Sequence, residues 1–150
     1  MNNDKVLNIP TKLLSDKAVV PQNAYAGDAG IDLRATEEAT LMPFERKIIS
    51  TGLAMAIPDG YAGFVLPRSG SAIKQGLSLV NAPGLIDSGY RGEIKCIAIN
   101  LDPQEPIHIK VGDRIAQLVI MQVSTPNLVL VEELDSTQRG AGGFGSSGTE

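Results

Sequence analysis

Apolar residues along the chain come in short runs broken by Gly, Pro and Asp. The runs are Val6–Ile9, Ile48–Ile57, Tyr61–Leu66, Leu77–Val80, Ile94–Leu101, Ile107–Val111, Ile115–Val123 and Leu128–Leu134. In the second run Leu53, Met55 and Ile57 alternate with other residues, and Pro58-Asp59-Gly60 closes it with a turn. Asp102-Pro103, Pro106 and Gly112-Asp113 separate the later runs. Many short, β-branched-rich segments at regular spacing predict an all-β chain, a jelly roll or distorted β-barrel. Only Ser71–Gln75, between two glycines, suits helix, so at most one short helix is expected. In Ile94–Leu101 the residues Ile94, Cys96 and Ala98 point one way, and Ile97, Ile99 and Leu101 the other. A strand apolar on both faces calls for a second contact layer, and subunit association is one way to supply it.

Composition refines this picture. A chain of 150 residues suits one domain with one core. Trp is absent and aromatics are only 4%, so that core must be aliphatic. The last twelve residues, RGAGGFGSSGTE, have no packing face. The reading is a β domain over 1–138 and a flexible Gly/Ser-rich tail over 139–150. The tail spells G-x-G-x-x-G from Gly140 to Gly145, but a dinucleotide loop must open a helix inside a βαβ unit, and only five residues follow. A formal net charge of −4 disfavours non-specific nucleic-acid binding. No secretory signal and no apolar run near the ~18 residues of a membrane helix is seen, so neither nucleic acid nor membrane is an expected partner and a cytoplasmic location is. Cys96, the single cysteine, lies in an apolar run and is expected to be a buried thiol without a disulfide partner.

There is no Walker A motif, no Cys/His cluster and no Ser-His-Asp set; His108, the one histidine, reads as an exposed strand residue. Five polar insertions interrupt the apolar runs instead. In Ala26-Gly27-Asp28-Ala29-Gly30-Ile31-Asp32-Leu33, Asp32 is either a turn residue or faces a hydrated cation. In Pro67-Arg68-Ser69-Gly70-Ser71 a guanidinium fork, a hydroxyl and an approachable backbone suit an anion, or else a capped turn with an exposed Arg. The connection Asn81–Glu93 carries an amide, Asp87 and Tyr90 on one hairpin, which suits a nucleoside pocket, although Asp before Ser-Gly is also a common turn-former. Gln117 sits inside an apolar strand, and the tail holds one cation, Arg139, and one aromatic, Phe144.

In this order the strings AGDAGIDLRA, PRSGSA, GLIDSGYRGEI, GDRIAQL and RGAGGFGSSG resemble the five motifs of the dUTPase family, across Ala26 to Gly148. The resemblance implies a β jelly roll, normally a homotrimer whose three sites each draw on all three subunits. It implies hydrolysis of dUTP to dUMP and pyrophosphate with Mg2+, lowering dUTP and supplying dUMP for thymidylate synthesis. Asp87 matches the carboxylate that activates the attacking water. Asp32 matches the aspartate that binds magnesium through water, the ion being held mainly by the substrate phosphates. Arg68, Ser69, Gly70 and Gln117 match phosphate contacts. Asn81 and the backbone near Leu85 and Ile86 would read uracil, Tyr90 would pack on the deoxyribose, and Lys95 would also contact substrate. Arg139 would pair with the terminal phosphate and Phe144 stack on uracil as the tail closes, with Ser146 and Ser147 adding phosphate contacts. Ser71-Ala72 stands where many members have Leu-Ala, and Asp28 is an extra carboxylate expected to be solvated.

Two rival readings share the fold. A dCTP deaminase would need a carboxylate placed for amine loss from cytosine, and members usually carry Phe where Tyr90 stands. A nucleotide-sensing regulator of a protein partner would not by itself need the full catalytic set.

Overall fold

The computed structural model describes residues 7–144. The strands are β1 (Thr11–Leu13), β2 (Ile31–Arg34), β3 (Ala39–Leu41), β4 (Arg46–Met55), β5 (Tyr61–Leu66), β6 (Leu77–Leu79), β7 (Gly84–Ile86), β8 (Ile94–Asn100), β9 (Ile107–Ile109) and β10 (Arg114–Gln122); the helix is α1 (Ser69–Gln75). All pairings are antiparallel. They make one sheet in the order β1-β4-β8-β6, a second in the order β2-β10-β5-β7, and a small β3-β9 pair. This is the expected jelly roll, with sheets that stay open rather than closing into a barrel.

The two four-stranded sheets enclose an aliphatic core that includes Leu33, Ile49, Leu53, Ile94, Cys96, Ile115 and Leu118, each at most 2% exposed. Every buried Leu or Ile contributes about 1.5–3 kcal/mol by leaving water. Asn100 is the polar exception. Its amide nitrogen donates to the carbonyls of Leu41 (3.0 Å) and Glu105 (2.8 Å), and its oxygen accepts from Asp102 N–H (2.8 Å), so burial leaves none of its groups unpaired.

Cys96 is buried as expected, and desolvation pushes its thiol from an ordinary 9.0 up to about 12. The unfolded thiol ionises first, so this group's contribution to stability is full below pH 9 and is lost as pH rises toward 12. At pH 8 a thiol reagent should label Cys96 only after denaturant is added; rapid labelling of the native protein would contradict this burial.

Most predicted runs coincide with strands. β2 and β3 fall outside every predicted run, and three further points differ. Among the described residues the first strand forms at Thr11–Leu13, and Leu7–Ile9 are not strand, while Val6 lies outside the described residues. The Asn81–Glu93 connection contains a strand of its own, β7, which adds to the edge of β5. The run Leu128–Leu134 is not a strand: Leu128, Leu130 and Leu134 are 86–98% exposed. Its pattern is right for a strand, but among the described residues no sheet edge receives it. On β8, Ile97 and Ile99 are only half-buried, and Ile48 across from Ile97 is exposed. The doubly apolar strand thus keeps one face uncovered within the chain.

Candidate active site

The insertions gather into two basins that share no lining residue. The first forms at the end of the second sheet. Gln117 on β10 sits opposite Asp32 on β2 and opposite Leu66 on β5, so both polar side chains share a face. The chain leaves β5 at Leu66 and turns through Pro67 and Arg68 into α1, whose first residues are Ser69 and Gly70. The Gln117 Nε2 donates to the Pro67 carbonyl at 2.9 Å, which pins the start of that loop. Gly30 clears the space: a Cβ there would fall 2.5 Å from Gln117 Oε1.

A bulge in β10 brings in a residue that sequence reading passed over. Two positions of β10, Arg114 to Ala116, span a single step of β2, Arg34 to Leu33. The extra residue leaves Ile115 and Ala116 buried in succession and puts Arg114 on the same face as Gln117. The Asp32 carboxylate then bridges two cations: Oδ1 accepts from Arg68 Nε at 2.7 Å and Oδ2 from Arg114 Nη1 at 3.1 Å. With two arginines against one inner carboxylate, and Ser69 and Gly70 on its rim, the basin suits an anion with several charges. It measures about 370 Å³ and is walled on the other side by Tyr25, Asp28 and Ala29. Asp28 is exposed but is not purely solvated: its Oδ2 accepts from Tyr25 N–H at 2.9 Å.

The second basin lies against the hairpin. It measures about 590 Å³, within the range of small-molecule sites, and is lined by Ile48, Leu85, Ile86, Asp87, Tyr90, Glu93, Lys95 and Ile97. The hairpin is braced at several points. Tyr90 N–H donates to the Asp87 carbonyl at 3.1 Å, closing the tip, and Arg91 Nη1 donates to the carbonyls of Ser88 (2.6 Å) and Tyr90 (2.9 Å). At the base, Glu93 is the hub. One carboxylate oxygen accepts from Gly52 N–H at 2.9 Å at a bulge in β4, the other pairs with Lys95 at 3.4 Å, and its carbonyl accepts from the Tyr90 hydroxyl at 2.9 Å. Glu93 was legible only as a letter of GLIDSGYRGEI and the end of the hairpin connection; the bulge that gives it work is not written in that string. Asn81 is exposed beside Gly84 and does not line the basin.

β2 and β7 are the two edges of one sheet, three strand spacings or about 14 Å apart. Asp32 and the strand leading to Asp87 therefore face different basins in one chain. The described part of the tail, residues 139–144, reaches neither. Arg139 Nε donates to the carbonyl of Gly142 at 2.9 Å and Phe144 is fully exposed. Ser146 and Ser147 lie outside the described residues. His108 is exposed on β9, hydrogen-bonded through Nδ1 to Thr40 Oγ1 at 3.0 Å, as a plain strand residue should be.

A family model described as dUTPase matches residues 16–148. The deoxyuridine 5'-triphosphate nucleotidohydrolase of Rhodococcus erythropolis is 54% identical over 142 residues, covering 95% of this chain and 87% of that protein. Among solved structures, the dUTPase of Staphylococcus bacteriophage 80alpha with dUPNHPP has a TM-score of 0.88 at 34% identity, covering 96% of this chain and all of that one. The dUTPase of phage phi11 of S. aureus, described as coordinating a structural Mg(II) ion, has a TM-score of 0.80 at 32% identity, covering 87% of this chain and 100% of that one. Fold, basins and matches together place the chain among the nucleotide-hydrolysing enzymes. It belongs to the dUTPase family.

Proposed function

We propose that the chain hydrolyses dUTP to dUMP and pyrophosphate, with Asp87 as general base on the attacking water. The observation that carries the reading is Asp87 and Tyr90 together on one braced, nucleoside-sized basin. A carboxylate presented on that braced hairpin can orient a water toward the α-phosphorus and take its proton. Backbone groups near Leu85 and Ile86 read the uracil edge, Tyr90 packs on the deoxyribose, and Lys95 offers a cation on the same wall; Asn81, beside Gly84 and outside the lining, would reach the base only from the rim. A site that bonds uracil O4 and N3–H leaves buried partners unpaired against cytosine, which discriminates strongly.

The groove of Arg68, Ser69, Gly70 and Gln117 takes the phosphates. Among the described residues no cluster of three His, Cys, Asp or Glu could hold a metal, and both Asp32 oxygens are engaged by arginines. This donor set fits a Mg2+ carried chiefly by the triphosphate and touched by Asp32 through water. When bound, magnesium offsets phosphate charge and clamps the chain of phosphates. Asp32 has a second task visible in its contacts, which is to hold two guanidinium groups side by side. Asp32→Asn should therefore raise KM for dUTP and lower kcat/KM by on the order of tenfold or more, since each charge-assisted bond is worth about 1.5–3 kcal/mol. Steady-state kinetics at fixed magnesium checks this; unchanged parameters would remove Asp32 from the site.

A second subunit would join the two basins. The uncovered apolar face of β8 and the exposed run Leu128–Leu134 are the surfaces a homotrimer would bury. In that assembly the phosphate groove of one chain meets the Asp87 hairpin of another, and the tail closes as a lid over the joint site. Product analysis tests the chemistry. Pyrophosphate should appear from dUTP and not from dCTP, dTTP or UTP; uracil nucleotides formed from dCTP would favour the deaminase reading instead.

A further inference from the structure

Tyr90 and Gly92 stand two residues apart on the hairpin and touch. The Tyr90 hydroxyl donates to the Glu93 carbonyl at 2.9 Å, which folds the ring back over the chain that follows it. A Cβ on Gly92 would fall 2.5 Å from Tyr90 Oη, 2.7 Å from Cζ and 3.1 Å from Cε2. Real Cβ atoms do not approach so closely. Gly92 is not among the glycines with positive φ, so no left-handed turn demands a glycine there. Gly89, also on the hairpin, has nothing within 4 Å of such a Cβ. The space at Gly92 is filled by the tyrosine ring and by no closer atom.

We infer that Gly92 is a specificity-determining positioning residue: its missing Cβ fixes where the Tyr90 ring stands, and thereby how tightly the sugar's C2′ is policed. The inference rests on the proposed reading of Tyr90 as the residue that packs on the deoxyribose. A flat ring pressed on C2′ leaves no room for a ribose hydroxyl; a ring pushed off its wall leaves that room. The colliding atoms are the far end of a half-exposed side chain, so the ring yields while the backbone and the braces at Glu93 and Gly52 stay. The Tyr90–Glu93 hydrogen bond is the contact that breaks.

The test is a double-mutant cycle read as the ratio of kcat/KM for dUTP over UTP. Gly92→Ala should keep the fold and oligomer and lower that ratio by about tenfold or more, the scale of losing one close packing contact in a specificity pocket. Tyr90→Ala should lower it at least as far, and adding Gly92→Ala to Tyr90→Ala should change it no further. A Gly92→Ala enzyme with the wild-type ratio overturns the inference. So does an equal loss in the Tyr90→Ala background, because the effect would not run through the ring. A Gly92→Ala chain that fails to fold also overturns it, since the Cβ would then meet something unable to yield. If Tyr90→Ala itself keeps the wild-type ratio, the sugar reading of Tyr90 is what fails.

Discussion

Replacing Asp87 with Asn is expected to leave dUTP bound and to lower kcat by on the order of 10²- to 10⁴-fold, the range for loss of a positioned general base. The substitution keeps shape and hydrogen-bonding size while removing the proton acceptor. Asp87 is exposed, and its carbonyl rather than its carboxylate closes the hairpin tip, so the brace from Tyr90 N–H survives the change. The Glu93 contacts with Gly52 and Lys95 survive as well. KM or the affinity for a non-hydrolysable analogue should therefore move little while turnover collapses. Turnover close to wild type would show that another group activates the water.

Deleting residues 139–150 is the second large effect expected. The described part of this segment curls on itself, with Arg139 bonded to Gly142 and Phe144 in solvent, and contributes nothing to the core. The fold and the oligomer should persist without it. Activity should not. Ordering a glycine-rich arm costs conformational entropy, which contacts made only in the closed state must offset. Base stacking by Phe144, if the tail closes as proposed, would be worth about 1–3 kcal/mol. On the proposed reading an Arg139–phosphate contact would add about 1.5–3 kcal/mol, and closure would exclude bulk water while leaving the water that Asp87 activates. Their joint loss should lower kcat/KM by on the order of 10²-fold or more. A truncated enzyme with full turnover would leave the tail without a role as a lid.

The fold was legible where the apolar pattern is long enough to carry a period. β4, β5, β8 and β10 each show alternating or continuous apolar runs, and each forms near the expected bounds. β3 and β7 are three residues long and are defined by the strand beside them rather than by their own pattern. Leu128–Leu134 shows the converse: a strand-like pattern is a demand for a partner, and no strand of its own chain supplies one. The site divides in the same way. Asp32, Arg68, Asp87, Tyr90 and Gln117 stood out as polar insertions in apolar surroundings. Arg114 did not, because only a bulge turns it toward Asp32. Glu93 did not, because its partners are a backbone N–H on a distant strand and a neighbouring hydroxyl. Gly30 and Gly92 could not stand out, because their contribution is the absence of a Cβ beside Gln117 and Tyr90. Nor does linear order tell that Asp32 and Asp87 face separate basins; strand order does.

In the proposed assembly hydrolysis occurs where the Asp87 basin of one subunit meets the Arg68 groove of another, and subunit mixing distinguishes this from a site within one chain. Asp87→Asn and Arg68→Ala chains, each inactive alone, are co-refolded in equal amounts and assayed for pyrophosphate release from dUTP. In a three-fold ring one junction in four pairs an intact Asp87 with an intact Arg68, so roughly a quarter of wild-type turnover should return. Mixtures that assemble fully yet stay as inactive as either parent would contradict the shared site and place both residues in one chain's own pocket.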